Sequence, residues 1–151
     1  MKGFMKKDLK INRDKLLKLI GFFDEAMTEL DSLKKEPKEK VISSRDRYVL
    51  EQLFYRSAMI SIDICFHLAA SLKGRIPDTY KGCFQILAEE GIINIEMKNR
   101  LLELAGLRNL IAHVYWNIDY ERLYDFLNNL ESLKKFRSLI LQLAMQTSIQ
   151  S

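Results

Sequence analysis

Glycine and proline are scarce, 6 and 2 in a chain of 151 residues, and this leaves few places for tight turns. The two cysteines, Cys65 and Cys83, lie within helical patterns with no Cys or His spaced as a metal partner, so a zinc module or a disulfide scaffold is not expected. They read as a reduced pair in a cytoplasmic protein, and their apolar surroundings should keep both thiols protonated and unreactive. Only two histidines are present, His67 and His113, with no His-x3-His or Glu-x2-His arrangement and no clustered carboxylates, so no metal site is expected. The Lys-rich opening, residues 1–10, never builds the apolar run of a signal peptide or a membrane span, so export and membrane attachment are not expected. Nor is there a charge bias: 24 basic and 20 acidic residues are intermixed, and the formal excess of +4 is compatible with RNA without arguing for it.

What the sequence does contain is helix. At 48% hydrophobic residues it can build one core, and its length suits one domain spanning residues 1–151. The first helix is expected from about Ile11 to Lys34, with Leu16, Leu19, Ile20, Phe23, Met27 and Leu30 on one face. The charged, proline-containing run from Lys34 to Lys40 reads as a solvated connection. Ser43 and Asp46 resemble a capping box that opens a second helix reaching about Leu72. Between Ala58 and Leu72 this helix is apolar nearly all the way round, which calls for cover on most sides, by its own core and by a second subunit. On it Asp63 and His67, four residues apart, read as a structural polar pair. The stretch Lys73–Pro77 should end that helix, with Asp78 or Thr79 capping a third that stops at Gly91. A fourth follows Asn94, and Asp119 caps a fifth that repeats Leu123, Phe126, Leu127, Leu130 and Leu133 as far as about Ala144. The expected fold is all-α, an antiparallel bundle of about five helices with short connections.

One helix concentrates the chemistry. At about 100° per residue, Leu104, Leu107, Leu110, Ile111 and Val114 fall on a common apolar side. Arg108, Asn109, Ala112, His113 and, if the helix extends so far, Tyr115 share the other. Small Ala105 and Ala112 within that arc would let a helix or a ligand come close. Histidine exchanges protons near neutral pH and arginine offers a fork of donors to a phosphate, so the pair suits phosphodiester cleavage without a metal. One histidine can hardly serve as both base and acid, so Tyr115, water or a second subunit must supply the other proton transfer. Spacing alone fits a hydrogen-bonded histidine near a helix end equally well.

The segment from Gly106 to Trp116, GLRNLIAHVYW, resembles the Arg-x4-His-x-Tyr signature of HepT-like toxins of the HEPN superfamily. The helix ending Ile62-Asp63-Ile64-Cys65-Phe66-His67-Leu68, the stretch Pro77-Asp78-Thr79-Tyr80 and the opening Asp119–Tyr124 extend the likeness over about residues 44–133. The resemblance implies a homodimer whose motif helices face each other across a cleft, acting as a metal-independent endoribonuclease toxin with no cofactor. It also implies a cognate nucleotidyltransferase antitoxin that attaches AMP to Tyr115, with Arg108 and His113 catalytic and Asn109 supporting. Two other readings remain at this point: a non-catalytic helical partner of a nucleotidyltransferase, and a small-molecule or nucleotide binder in the dimer cleft.

Overall fold

Asn12 opens the first helix, its side chain accepting from the Lys15 amide at 3.1 Å. The computed structural model describes residues 11–72 and 75–146, so the Lys-rich opening and the Lys73-Gly74 pair lie outside the described residues. Helix α1 (Arg13–Lys34) buries Leu16, Ile20, Phe23, Met27 and Leu30 as the spacing predicts, with Leu19 only partly covered.

The charged run does not stay a loop. Residues Lys38–Ser43 form a short helix, α2, because Val41 just beyond the run is fully buried and docks it on the core. An i,i+4 ion pair between Glu36 and Lys40 and a bond from the Tyr124 hydroxyl to the Glu36 carbonyl hold the entry to it. The expected capping box also fails to form. The Ser43 hydroxyl donates to the Glu39 carbonyl at 2.5 Å, finishing α2, while Ser44 Oγ accepts from the Asp46 amide at 3.2 Å.

Helix α3 (Asp46–Ala70) is the central element and ends two residues short of Leu72. It is long and apolar enough to cross a membrane, yet half of that apolar stretch is buried inside the fold, where α1, α4 and α5 pack on it. Leu50, Phe54, Ile64 and Leu68 are fully enclosed, each contributing about 1.5–3 kcal/mol on burial, whereas Tyr55, Met59, Ile62 and Phe66 are only partly covered.

Thr79, rather than Asp78, caps α4 (Tyr80–Glu89): its hydroxyl accepts from the Gly82 amide at 3.0 Å. The helix stops at Gly91, whose φ of 76° suits a residue without a side chain. Cys83 of α4 is disulfide-bonded to Cys65 of α3, with Cα atoms 6.2 Å apart and both residues fully buried. The reduced pair expected from sequence is therefore corrected, since the helices cross where the cysteines face each other.

Asn94 caps α5 (Ile95–His113), accepting from the Met97 amide at 2.8 Å. Asp119 caps α6 (Tyr120–Asp125), as expected, but the fifth helix is broken by a 3-10 turn over Phe126–Asn129 before α7 (Leu130–Gln146). The bundle thus has more segments than the five expected. The break lets Phe126 meet Phe54 edge-on at 5.4 Å, in the T-shaped arrangement aromatic rings favour. Helix α7 is clamped to α1 by a two-pronged Arg137–Asp24 pair at 2.9 Å and by Lys134–Asp31 at 2.8 Å.

Candidate active site

Helix α5 packs on α3, and the two meet where Arg108 reaches Tyr55 and Met59. Leu104, Leu107 and Ile111 face the core as the wheel predicts, but Leu110 is 40% exposed, the reverse of expectation, while Ala105 is buried. The small residue is enclosed within the chain's own bundle and leaves no open cleft at that point. Val114 is the C-cap, its amide donating to the Leu110 carbonyl at 2.8 Å.

Arg108 is half-buried and held at three points. Its Nε donates to Met59 Sδ at 3.3 Å, its Nη1 donates to Asn109 Oδ1 at 3.0 Å, and its guanidinium carbon lies 5.7 Å from the centre of the Tyr55 ring. Asn109 is fixed in turn, because its Nδ2 donates to the Tyr80 hydroxyl at 2.9 Å. A chain of contacts from α4 through Asn109 therefore sets the angle of the arginine. Nη2 makes no hydrogen bond among the described residues, so one donor edge remains for an anion.

His113 is the last residue of α5 and is exposed, and its imidazole makes no hydrogen bond among the described residues. Tyr115 falls beyond the helix, in a turn closed by the Asn117 amide donating to the Val114 carbonyl at 3.0 Å. It is 70% exposed and stands edge-on to Trp116, itself 72% exposed, with ring centres 5.3 Å apart. The structure thus presents an anchored cation, then a free imidazole five residues on, about one and a half turns along the helix, then a free phenol. A proton carrier needs access to solvent or substrate and a phosphate clamp needs rigidity, and the three residues are divided along those lines.

The other predicted pair is not formed. His67 Nε2 accepts from the Asn12 amide at 3.2 Å, and Asp63 points to solvent. Burial, and secondarily the charge of Lys15, holds the His67 imidazole below its ordinary pKa, so it stays a neutral acceptor at the start of α1. It is a structural residue with a different partner. Sequence reasoning also passed over Tyr55, Met59 and Tyr80 as site residues. Tyr80 was visible only as part of the family-like Pro77–Tyr80 stretch, and the other two carry no local signal because α3 meets α5 from 49 residues away.

Residues 23–140 match the family described as ribonuclease HepT-like. The chain belongs to the HepT-like ribonuclease family. A protein of Archaeoglobus fulgidus, named as a candidate RNase, is 29% identical over 135 residues, covering 87% of this chain and 89% of its own length. Among solved structures, the cytosolic protein YutE of Bacillus subtilis, of unknown function, is similar with a TM-score of 0.76 at 20% identity, over 87% of this chain and 90% of that one. A toxin–antitoxin structure with AMP-PNP is similar with a TM-score of 0.75 at 17% identity, over 83% and 96%. A mutant of the toxin–antitoxin pair MntA-HpeT gives 0.74 at 17%, over 84% and 97%. At such identities these structures establish the shared helical fold, and the family match assigns this HepT-like chain to the ribonucleases.

Proposed function

We propose that this HepT-like protein is the toxin of a toxin–antitoxin pair and cleaves RNA without a metal, using Arg108 and His113 at a cleft between two copies of the chain. The observation that carries the reading is the contrast between a clamped Arg108 with a spare donor edge and a solvent-facing His113. In the proposed reaction one His113 takes the proton from the ribose 2′-hydroxyl, which attacks the adjacent phosphorus. The bond to the 5′-oxygen breaks, and an acid protonates that oxygen as it leaves. Arg108 neutralises the charge gathering on the non-bridging oxygens. Since each chain offers a single exposed histidine, the second copy's His113 is the natural acid. Asn109 supports Arg108 and does not itself react.

Tyr115 is the proposed site of AMP attachment by a nucleotidyltransferase antitoxin, and its 70% exposure gives such an enzyme access. AMP would add a negative charge and a bulky base beside His113, and its phosphate would compete with RNA for the free edge of Arg108. A cytoplasmic location goes with this reading, since the RNA and the partner are met there.

The test is cleavage of mixed RNA in EDTA by the parent chain, His113→Ala and Arg108→Ala. Cleavage by the parent alone supports the proposal. Equal inertness of all three, with correct folding, returns the non-catalytic partner reading. Co-expression with a cognate nucleotidyltransferase should add the mass of AMP to Tyr115, and full inhibition without that mass refutes the modification step.

A further inference from the structure

The N-terminal half of α3 carries a second feature aligned with Arg108. Tyr48 precedes Tyr55 by seven residues, which puts the two rings on the same face within about 20° and about 10 Å apart along the axis. Tyr55 is the ring beside the Arg108 guanidinium. Tyr48 is 53% exposed, and its surroundings are built. The Arg47 guanidinium carbon lies 4.7 Å from the ring centre, and its Nη2 donates to the Tyr48 hydroxyl at 2.8 Å. Tyr120 stands edge-on to Tyr48 at 6.4 Å, fixed by its hydroxyl donating to Glu51 Oε1 at 2.8 Å. The ring is thus braced by its neighbours and still more than half exposed.

The charges around it favour an anion. By helical spacing Arg45, Arg47 and Arg56 lie within about 100° of Tyr48, whereas Asp46 projects to the opposite side. In the N-terminal half of α3 the carboxylate on this face, Glu51, is occupied by Tyr120, and the next on the same arc, Asp63, lies about two turns beyond Tyr55. Arg45 and Arg56 are exposed and in no ion pair among the described residues. Exposed aromatic rings interleaved with unpaired arginines are the physical requirement for holding a single strand, bases on the rings and phosphates on the cations.

We propose that this face of α3 is a binding track for single-stranded RNA, with Tyr48 stacking an unpaired base beside the phosphate that Arg108 clamps and Arg45 and Arg56 holding the flanking backbone. The inference rests on the ribonuclease reading, and its test separates the two. Binding of a fluorescein-labelled single-stranded RNA is measured by anisotropy in the His113→Ala chain, which cannot cut the probe, and cleavage is measured in the parent. Adding Tyr48→Ala should weaken binding at least about fivefold, and Tyr48→Phe should bind as the parent does, since stacking needs only the ring. Arg45→Ala with Arg56→Ala should flatten the salt dependence of binding by about one to two in slope. If the parent cuts RNA and Tyr48→Ala leaves affinity unchanged, the track is refuted while the enzyme reading stands. If the parent neither cuts nor binds RNA, both fall. If Tyr48→Ala instead changes the oligomeric mass, or abolishes copurification with the nucleotidyltransferase at unchanged RNA affinity, the face is a protein interface and the proposal is overturned.

Discussion

Removing one hydroxyl, in Tyr80→Phe, tests whether the contacts behind Arg108 set its catalytic angle or merely hold the fold. The hydroxyl accepts from Asn109 Nδ2 at 2.9 Å, and the ring itself should stay, because it packs on the core and meets Phe84 edge-on at 6.5 Å. Loss of a neutral hydrogen bond of this kind costs about 0.5–1.5 kcal/mol, which lowers the melting temperature of a domain this size by about 2–4 °C per kcal/mol. With its amide released, Asn109 can rotate and its Oδ1 no longer fixes Arg108 Nη1. If about 1 kcal/mol of transition-state alignment goes with it, kcat falls about fivefold while KM changes little. The assay is steady-state cleavage of a quenched fluorescent RNA beside a thermal melt. A melt shifted by the expected amount with kcat intact would show that Tyr80 and Asn109 are structural only, and the argument from anchored arginine to phosphate clamp would lose its support.

Two further perturbations test the frame. His67 is held below its ordinary pKa, so the folded chain favours the neutral ring and the unfolded chain binds the extra proton. Its contribution to stability is complete above about pH 6.5 and is lost as the pH falls from there through the lowered folded value. Urea midpoints measured from about pH 8 to about pH 5 should therefore fall on the acid side more in the parent than in His67→Gln, and parallel profiles would contradict the assignment. Reduction of Cys65–Cys83, separated by 18 residues, should remove about 3 kcal/mol on the chain-entropy account, seen as a lower melting temperature in dithiothreitol that Cys83→Ser reproduces. Identical melts with and without reductant would show that the bond contributes nothing.

What the sequence discloses is local, and its misses share one cause. The cap at Asp119, the opening of α4 at Asp78 or Thr79, the start of α5 after Asn94 and the core face of α1 depend on residues within a turn or two of each other, and these are legible, though the choice of Thr79 over Asp78 is not. Helix α2 was not, because its charged run is unpersuasive until Val41 finds a pocket made by distant elements. His67 shows the same limit. The i,i+4 rule offered Asp63, but an unpaired amide at the start of α1, 55 residues away, is a better donor to a neutral ring than a carboxylate that can only accept. The disulfide likewise depends on how α3 and α4 cross.

For the site, type and order were legible but depth was not. A helical wheel gives Arg108, Asn109 and His113 one side of α5 without saying that α3 residues cover the first while the last is left exposed. On the proposed mechanism that difference matters. An exposed arginine would lose much of its pull on phosphate to water and salt, whereas one seated against Met59 and Tyr55 works at lower effective dielectric and in a fixed direction. A histidine equally enclosed could not reach both a ribose hydroxyl and bulk solvent to return its proton. Moving the clamp outward should therefore damage catalysis more than its charge would suggest. Arg108→Lys keeps the cation but has one head group for the contacts now shared among Met59, Asn109 and the free edge, so it should behave nearly as Arg108→Ala in cleavage while folding normally. Near-parental activity in that variant would mean that charge alone suffices, and the division of labour between a rigid guanidinium and a free imidazole would have to be abandoned.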